Sequence, residues 1–278
     1  MAHWVRRHLL QLAFGACAAT ALPAAPAESA SSAVLIMYHR FGEDSLPSTN
    51  IRIEQFEAQI EVLASGGYSV LPLPDIIAAL RTGASLPDKT IGITIDDANS
   101  SVYEQAWPRL KAAGFPFTVF VSTDPVDAGV HGVMSWDQLR ELADSGVTIG
   151  HHSASHAHMA GRDEALNTAD IAKASERFRA ELGRTPELFA YPYGEYSRAL
   201  QELIAEQGFI AAFGQQSGVA HDGEFIFALP RFALNESYGD IDRFRMISQT
   251  LALPVSDVTP SDSLLGPNPP LIGFTVDE

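Results

Sequence analysis

The chain has 278 residues, with 18 Lys or Arg against 34 Asp or Glu and a formal net charge of −16. A surface this acidic argues against nucleic acid, anionic membranes and polyanionic substrates as partners. The single cysteine, Cys17, excludes an intrachain disulfide, so stability must come from a packed core, and the length suffices for one large α/β domain.

Residues 1–27 read as an export signal. Arg6 and Arg7 form a positive start, residues 9–22 are apolar but too short to span a bilayer, and Ala25-Pro26-Ala27 offers a small-x-small cleavage site. Removing this segment leaves 16 basic against 34 acidic side chains, a net of −18, and a periplasmic or secreted chain with no stable membrane insertion. Lipid attachment at Cys17 is disfavoured because Phe14 stands where such boxes carry Leu, while the Arg6-Arg7 pair leaves twin-arginine export open.

From residue 33 onward, short β-branched runs alternate with helical patterns. Strands are predicted at 33–38, 68–71, 91–95, 116–122, 147–150, 188–191 and 209–213, and helices at 53–64, 74–81, 102–113, 136–144, 164–182 and 197–207. Strict β/α alternation implies a parallel sheet with helices outside it. Seven or eight such units over residues 28–252 predict a single-domain (β/α) barrel, whose chemistry gathers at the C-terminal ends of the strands. The tail, 253–278, is rich in Pro, Ser and Asp up to residue 270 and reads as an extended connection, with 271–276 as an edge strand.

The residues at those strand ends can do chemistry. Asp96 and Asp97 close the third strand, and two adjacent carboxylates favour a nearby cation or a shared proton. His151-His152-Ser153-Ala154-Ser155-His156-Ala157-His158 follows the fifth strand, and the spacing of His152 and His156 places both rings on one face of a helical turn, as two metal ligands require. Taken singly, the acidic pair also reads as a turn and the histidines as a surface tract. His39 follows the first strand, and Tyr191-Pro192-Tyr193-Gly194 the sixth.

Thr94-Ile95-Asp96-Asp97-Ala98, then His152-Ser153-Ala154-Ser155-His156, then Tyr191-Pro192-Tyr193-Gly194 together resemble the three ordered motifs of the polysaccharide deacetylases, the NodB-homology carbohydrate esterases. The resemblance spans roughly residues 34–235. It implies an irregular (β/α)7 barrel and one divalent metal ion held by Asp97, His152 and His156, zinc first, with cobalt, nickel or manganese as alternatives. It also implies that Asp96 is the general base, although the two aspartates could exchange roles, and that the Tyr193 N–H is an oxyanion donor. The implied partner is an acetylated glycan, neutral or partly cationic to suit the acidic surface. Tyr191, Tyr193 or Trp136 could pack on a sugar face.

Three departures from the family pattern stand out. Ala98 replaces the usual Gly, which predicts a backbone with no strongly left-handed residue there. Ala190 stands where an Arg is expected, and the late Leu-x-His reads Leu229-Pro230-Arg231. The Tyr38-His39 pair resembles exopolysaccharide deacetylases acting on poly-N-acetylglucosamine, which makes His39 the candidate general acid, with a satisfied structural histidine as its alternative. Arg231 is the candidate cation beside Asp96, with a surface salt bridge as its alternative. His151, His158, His131 and His221 are expected at the surface or behind the ligands. The implied reaction is N-deacetylation of a hexosamine polymer. An O-acetyl esterase acting on xylan or another glycan, and a catalytically inactive carbohydrate-binding barrel, are the alternatives.

Overall fold

The structure, a computed structural model, describes residues 31–223, 225–253, 255–264 and 270–276. The predicted export signal and Cys17 lie outside the described residues.

In chain order the elements are β1 (Ser32–Tyr38), β2 (Arg40–Phe41), β3 (Asn50–Ile51), α1 (Ile53–Ser65), β4 (Ser69–Val70), α2 (Leu73–Thr82) and β5 (Thr90–Asp96). A π-helical turn, Val102–Ala106, runs into α3 (Trp107–Ala113), followed by β6 (Thr118–Val121), α4 (Thr123–Asp127), α5 (Trp136–Asp144), β7 (Thr148–His151) and α6 (Glu164–Leu182). Then come β8 (Leu188–Ala190), α7 (Arg198–Glu206), β9 (Ala211–Phe213), β10 (Ala220–His221), β11 (Phe232–Ala233), α8 (Ile241–Ile247), β12 (Val255–Thr259) and β13 (Gly273–Val276). Helix ends follow local chemistry: Ser135 caps α5 and Asp163 caps α6 through side-chain oxygens, and left-handed Gly183 ends α6.

Strands β1, β5, β6, β7, β8 and β9 lie side by side and parallel. Phe213 at the end of β9 bridges in parallel to Leu229, and β11, three residues further on, pairs in parallel with β1. The ring therefore closes on seven staves as an irregular (β/α)7 barrel, but the strand predicted at 68–71 is not one of them and β11 takes its place. Two short strands sit at its margins, β4 beside the start of β5 and β10 antiparallel to the start of β1.

Strand parity sorts the side chains. Val34, Ile36, Tyr38, Ile91, Ile93, Ile95, Val119, Val121 and Ile149 join a core shared with α1, α3 and α5. Leu35, Phe120, Leu188, Ala190 and Phe213 form the barrel interior, plugged from below by Leu73, Ile76, Ile77 and Leu80 of α2. Phe120 fills that interior so fully that a Cβ at Gly150 would collide with its ring, which is why a strand interior tolerates glycine here.

Three expectations need correction. The helix predicted over 102–113 is π-helical in its first half. Helix α4 and the closing strand β11 were not anticipated, because five- and two-residue elements carry no readable period. The tail segment 271–276 is not an edge of the barrel: β13 pairs antiparallel with β12, which lies inside the stretch read as an extended connection.

Candidate active site

Thr94 and Asp96 share the interior face of β5, and register pairs Tyr38 with Ile95, so His39 emerges level with Asp96. Arg231, on the closing stave, is fully buried and grips Asp96 with both ends of its guanidinium: Nη1 donates to Oδ1 and Nη2 to Oδ2, each at 2.8 Å. Nη1 also donates to Thr94 Oγ1 at 3.1 Å and Nε to the Gly214 carbonyl at 2.9 Å, and the cation lies 5.4 Å from the Phe120 ring centre. Burial pushes the Asp96 carboxyl up, but Arg231, helped by the nearby histidines, outweighs it and holds it below its ordinary value. Arg231 thus occupies the site and not a surface salt bridge, and from the closing stave it brings a cation to Asp96 while Ala190 stands where the family pattern expects an arginine.

Asp97 leaves the strand. Its φ is 76° and that of Ala98 is 51°, so two consecutive left-handed residues swing its carboxylate away from that of Asp96. This overturns the expectation drawn from Ala98: alanine occupies the left-handed position and is itself fully buried. The turn is pinned by Met134 N–H donating to the Ala98 carbonyl at 2.9 Å and by an antiparallel bridge between Asn99 and Val133.

Parity also separates the adjacent histidines. His152 falls on the interior face, while His151 points outward into a cage of Phe178, Phe189 and Phe209. Burial there lowers the His151 pKa to about 3, so it is a neutral core side chain and not a surface one. Its Nδ1 accepts from the Ser153 N–H at 3.1 Å. The segment from His152 to His156 is not the helical turn expected from its spacing; it is a loop with left-handed residues at Ser153 (φ 66°) and His156 (φ 54°), closed by His156 N–H donating to Ser153 Oγ at 3.0 Å. Both rings nonetheless converge on Asp97. His156 Nε2 lies 3.3 Å and His152 Nε2 3.6 Å from Asp97 Oδ1.

The donors fit a divalent cation. One atom from each of Asp97, His152 and His156 lies within 4.8 Å of the others. His152 Nδ1 faces the Ala190 carbonyl at 2.6 Å and must donate to it, which leaves the lone pair of Nε2 aimed at a carboxylate oxygen. Two acceptors facing each other need a positive charge between them. Burial works against the charge on Asp97, but His156, His152 and His39 outweigh it and hold the carboxyl below its usual range. At His156, Asp97 likewise overcomes the effect of burial and raises the ring pKa. Two nitrogens and an oxygen suit zinc, cobalt, nickel or manganese.

The family model for polysaccharide deacetylase matches residues 83–212, which contain all three of these donors and Asp96. The chain carries a polysaccharide deacetylase domain. It is 22% identical over 232 residues to the poly-beta-1,6-N-acetyl-D-glucosamine N-deacetylase of Staphylococcus aureus strain MRSA252, covering 74% of this chain and 80% of that protein. IcaB from Ammonifex degensii superposes with a TM-score of 0.72 at 26% identity, covering 79% of this chain and 98% of that one. The Streptococcus pyogenes deacetylase PplD, solved with acetate, superposes at 0.74 and 18% identity, over 80% and 100% of the two chains.

Elsewhere in the deacetylase domain the predicted residues divide. Tyr193 sits in a tight turn with φ 59°, its ring 47% exposed, packed edge-on to His156 at 4.5 Å and stacked on His158 at 3.9 Å. His158 is exposed and held by Glu195 at 2.8 Å. Tyr191, by contrast, is fully buried and donates its hydroxyl to the Phe227 carbonyl, so it cannot contact a sugar. Trp136 is also removed from the site: its indole N–H donates to Asp127 and its ring abuts Phe178 of α6. His221 is buried too, contrary to expectation. Asn99, whose side chain donates to the His39 carbonyl at 3.1 Å, and Asp170, behind the histidine loop, were missed. The signal for Asp170 was available: it lies with Asn167, Ile171, Ala174 and Phe178 on the buried face of α6, and a carboxylate on such a face needs partners.

Proposed function

We propose that this chain is an exported, metal-dependent deacetylase that removes N-acetyl groups from a hexosamine-containing polysaccharide. The observation that carries the reading is the pairing of two differently held aspartates, Asp96 fixed by Arg231 and Asp97 facing His152 and His156. A divalent cation held by Asp97, His152 and His156, zinc first, supplies Lewis-acid polarisation of a carbonyl and lowers the pKa of a water.

The chain's own groups do the rest. Asp96, kept ionised by Arg231, has unoccupied lone pairs beyond its two guanidinium bonds and takes the proton of the attacking water. The backbone N–H of Tyr193 donates to the oxygen that gains charge as the acetyl carbonyl becomes tetrahedral. When the C–N bond breaks, His39 gives its proton to the departing amine, and acetate and a free amino sugar remain. Two features support His39 in this role: its level with Asp96, and the replacement of the late histidine by an arginine that cannot release a proton. The acidic surface favours a product that becomes cationic.

The test is acetate release from acetylated glucosamine oligomers together with metal analysis. His39→Ala should lower turnover by about 10²–10⁴-fold on the amide with metal content unchanged. On an aryl acetate ester, whose phenolate leaves unaided, the loss should be much smaller. Equal losses on both substrates would remove His39 as the acid, and a wild-type chain that binds no divalent metal would remove the reading itself.

A further inference from the structure

The loop that carries His152 and His156 has two left-handed residues and no regular hydrogen-bond ladder, so its own backbone does not fix the distance between the two rings. On one side it leans on the start of α4, where Asp124 N–H donates to the Ala154 carbonyl at 3.0 Å and the Thr123 N–H points at the Ser153 carbonyl. On the other side a single carboxylate gathers its donors. Asp170 Oδ1 accepts from the Ala154 N–H at 2.7 Å and the Ser155 N–H at 3.2 Å, and Oδ2 accepts from the Ser155 hydroxyl and from Arg162 Nη1 at 3.3 Å.

Ala154 and Ser155 lie midway between the two ligands, and none of Asp170's partners is itself a metal donor. Successive backbone N–H groups converging on one anion form a rigid concave nest. A hydrogen bond to a charged acceptor is also shorter and stronger than a neutral one. Burial of Asp170 pushes its carboxyl up, but these donors outweigh it and hold the group ionised. Helix α6 does not need Asp170 in order to dock, since Ile171, Ala174 and Phe178 seat it.

We propose that Asp170 is a positioning residue that sets the separation of His152 and His156, and through it the affinity for the divalent cation. The inference rests on the metal site described under the proposed function. Asp170→Asn keeps the shape but brings an NH₂ group against donors, and Asp170→Ala removes the acceptor altogether.

The experiment measures Zn²⁺ affinity by chelator competition on metal-free protein, together with the Tm of that metal-free protein and the visible spectrum after Co²⁺ loading. Asp170→Ala should weaken Zn²⁺ binding by about 10–100-fold and alter the Co²⁺ spectrum, Asp170→Asn should weaken binding less, and α6 should stay folded. Ser155→Ala, which leaves α6 untouched, should weaken binding roughly 2–10-fold and decides the matter if the Asp170 variants do not fold. Zn²⁺ affinities within about twofold of wild type in a folded Asp170→Ala, or in Ser155→Ala where that variant is the one that folds, would reduce these bonds to loop packing and overturn the inference alone. A wild-type chain without Zn²⁺ affinity would overturn it together with the metal reading.

Discussion

Arg231 and Asp96 form a bidentate pair with no solvent exposure on either side chain. A buried pair is expensive to break from one side only, because the surviving charge has neither water nor partner. Asp96→Asn is therefore predicted to act twice. It should abolish most turnover while leaving the Asp97, His152, His156 donors and their metal in place. It should also lower stability by about 3–5 kcal/mol, roughly 6–20 °C in Tm for a chain of this size, since Arg231 is left facing an amide. Calorimetry and metal analysis on one preparation check both, and an unchanged Tm would mean that water reaches Arg231. The partner of Asp96 was legible in the sequence only through the family resemblance, which expects an arginine at Ala190 and so made Arg231 the candidate cation. The motif separated His152, as a ligand, from His151, but the burial of His151 in an aromatic cage was not legible. The placement of the two rings depends on which face of β7 looks inward, and a one-residue error in that register would have exchanged them.

Among the elements, those with a clear period were legible: α5 and α6 begin and end where sequence periodicity places them, and the main strands deviate by a residue or two. What sequence could not convey is the geometry between elements, where local preference yields to tertiary bonding. The turn after β5 illustrates this, since Ala98 takes φ 51° although alanine disfavours it. That conformation costs about 1–2 kcal/mol, while its buried methyl contributes about 0.8 kcal/mol, so relief of strain and loss of packing nearly offset. Ala98→Gly should consequently change stability by less than about 1 kcal/mol in denaturant titration, although the position is fully buried. A loss above about 2 kcal/mol would show that the methyl is worth more than the strain. The histidine loop yields to tertiary bonding in the same way: four-residue spacing brought two rings together as expected, but through a loop braced by Asp170 and not through helical geometry.

For the molecule as a whole, the acidic surface and the ionised interior set the response to acid. Asp127 and Asp170 are both held below their ordinary value of 3.8: burial alone would raise them, but Arg177 and Trp136 overcome it at the first, and the Ser155 and Ala154 donors at the second. A carboxyl depressed in the folded state stabilises it above the unfolded pKa, and that contribution is lost as pH falls through the folded value. The Tm of metal-free protein should therefore drop between pH 5 and pH 3, and the drop should be smaller in Asp127→Asn; a Tm constant over that window would contradict the assignment. The closure of the barrel has a consequence of another kind, in the order of events along a growing chain. Asp97, His152 and His156 all exist once residue 156 has been made, whereas Arg231 lies 135 residues beyond the Asp96 it grips. Until the seventh stave docks, Asp96 lacks the guanidinium that, in the folded chain, holds its carboxyl below the ordinary value. Such a distant pairing forms late, because its loop entropy is paid before its contacts are gained. A nascent chain thus holds every donor for a cation well before Arg231 can fix the carboxylate of Asp96, so the proposed base is the last part of the site to be set in place.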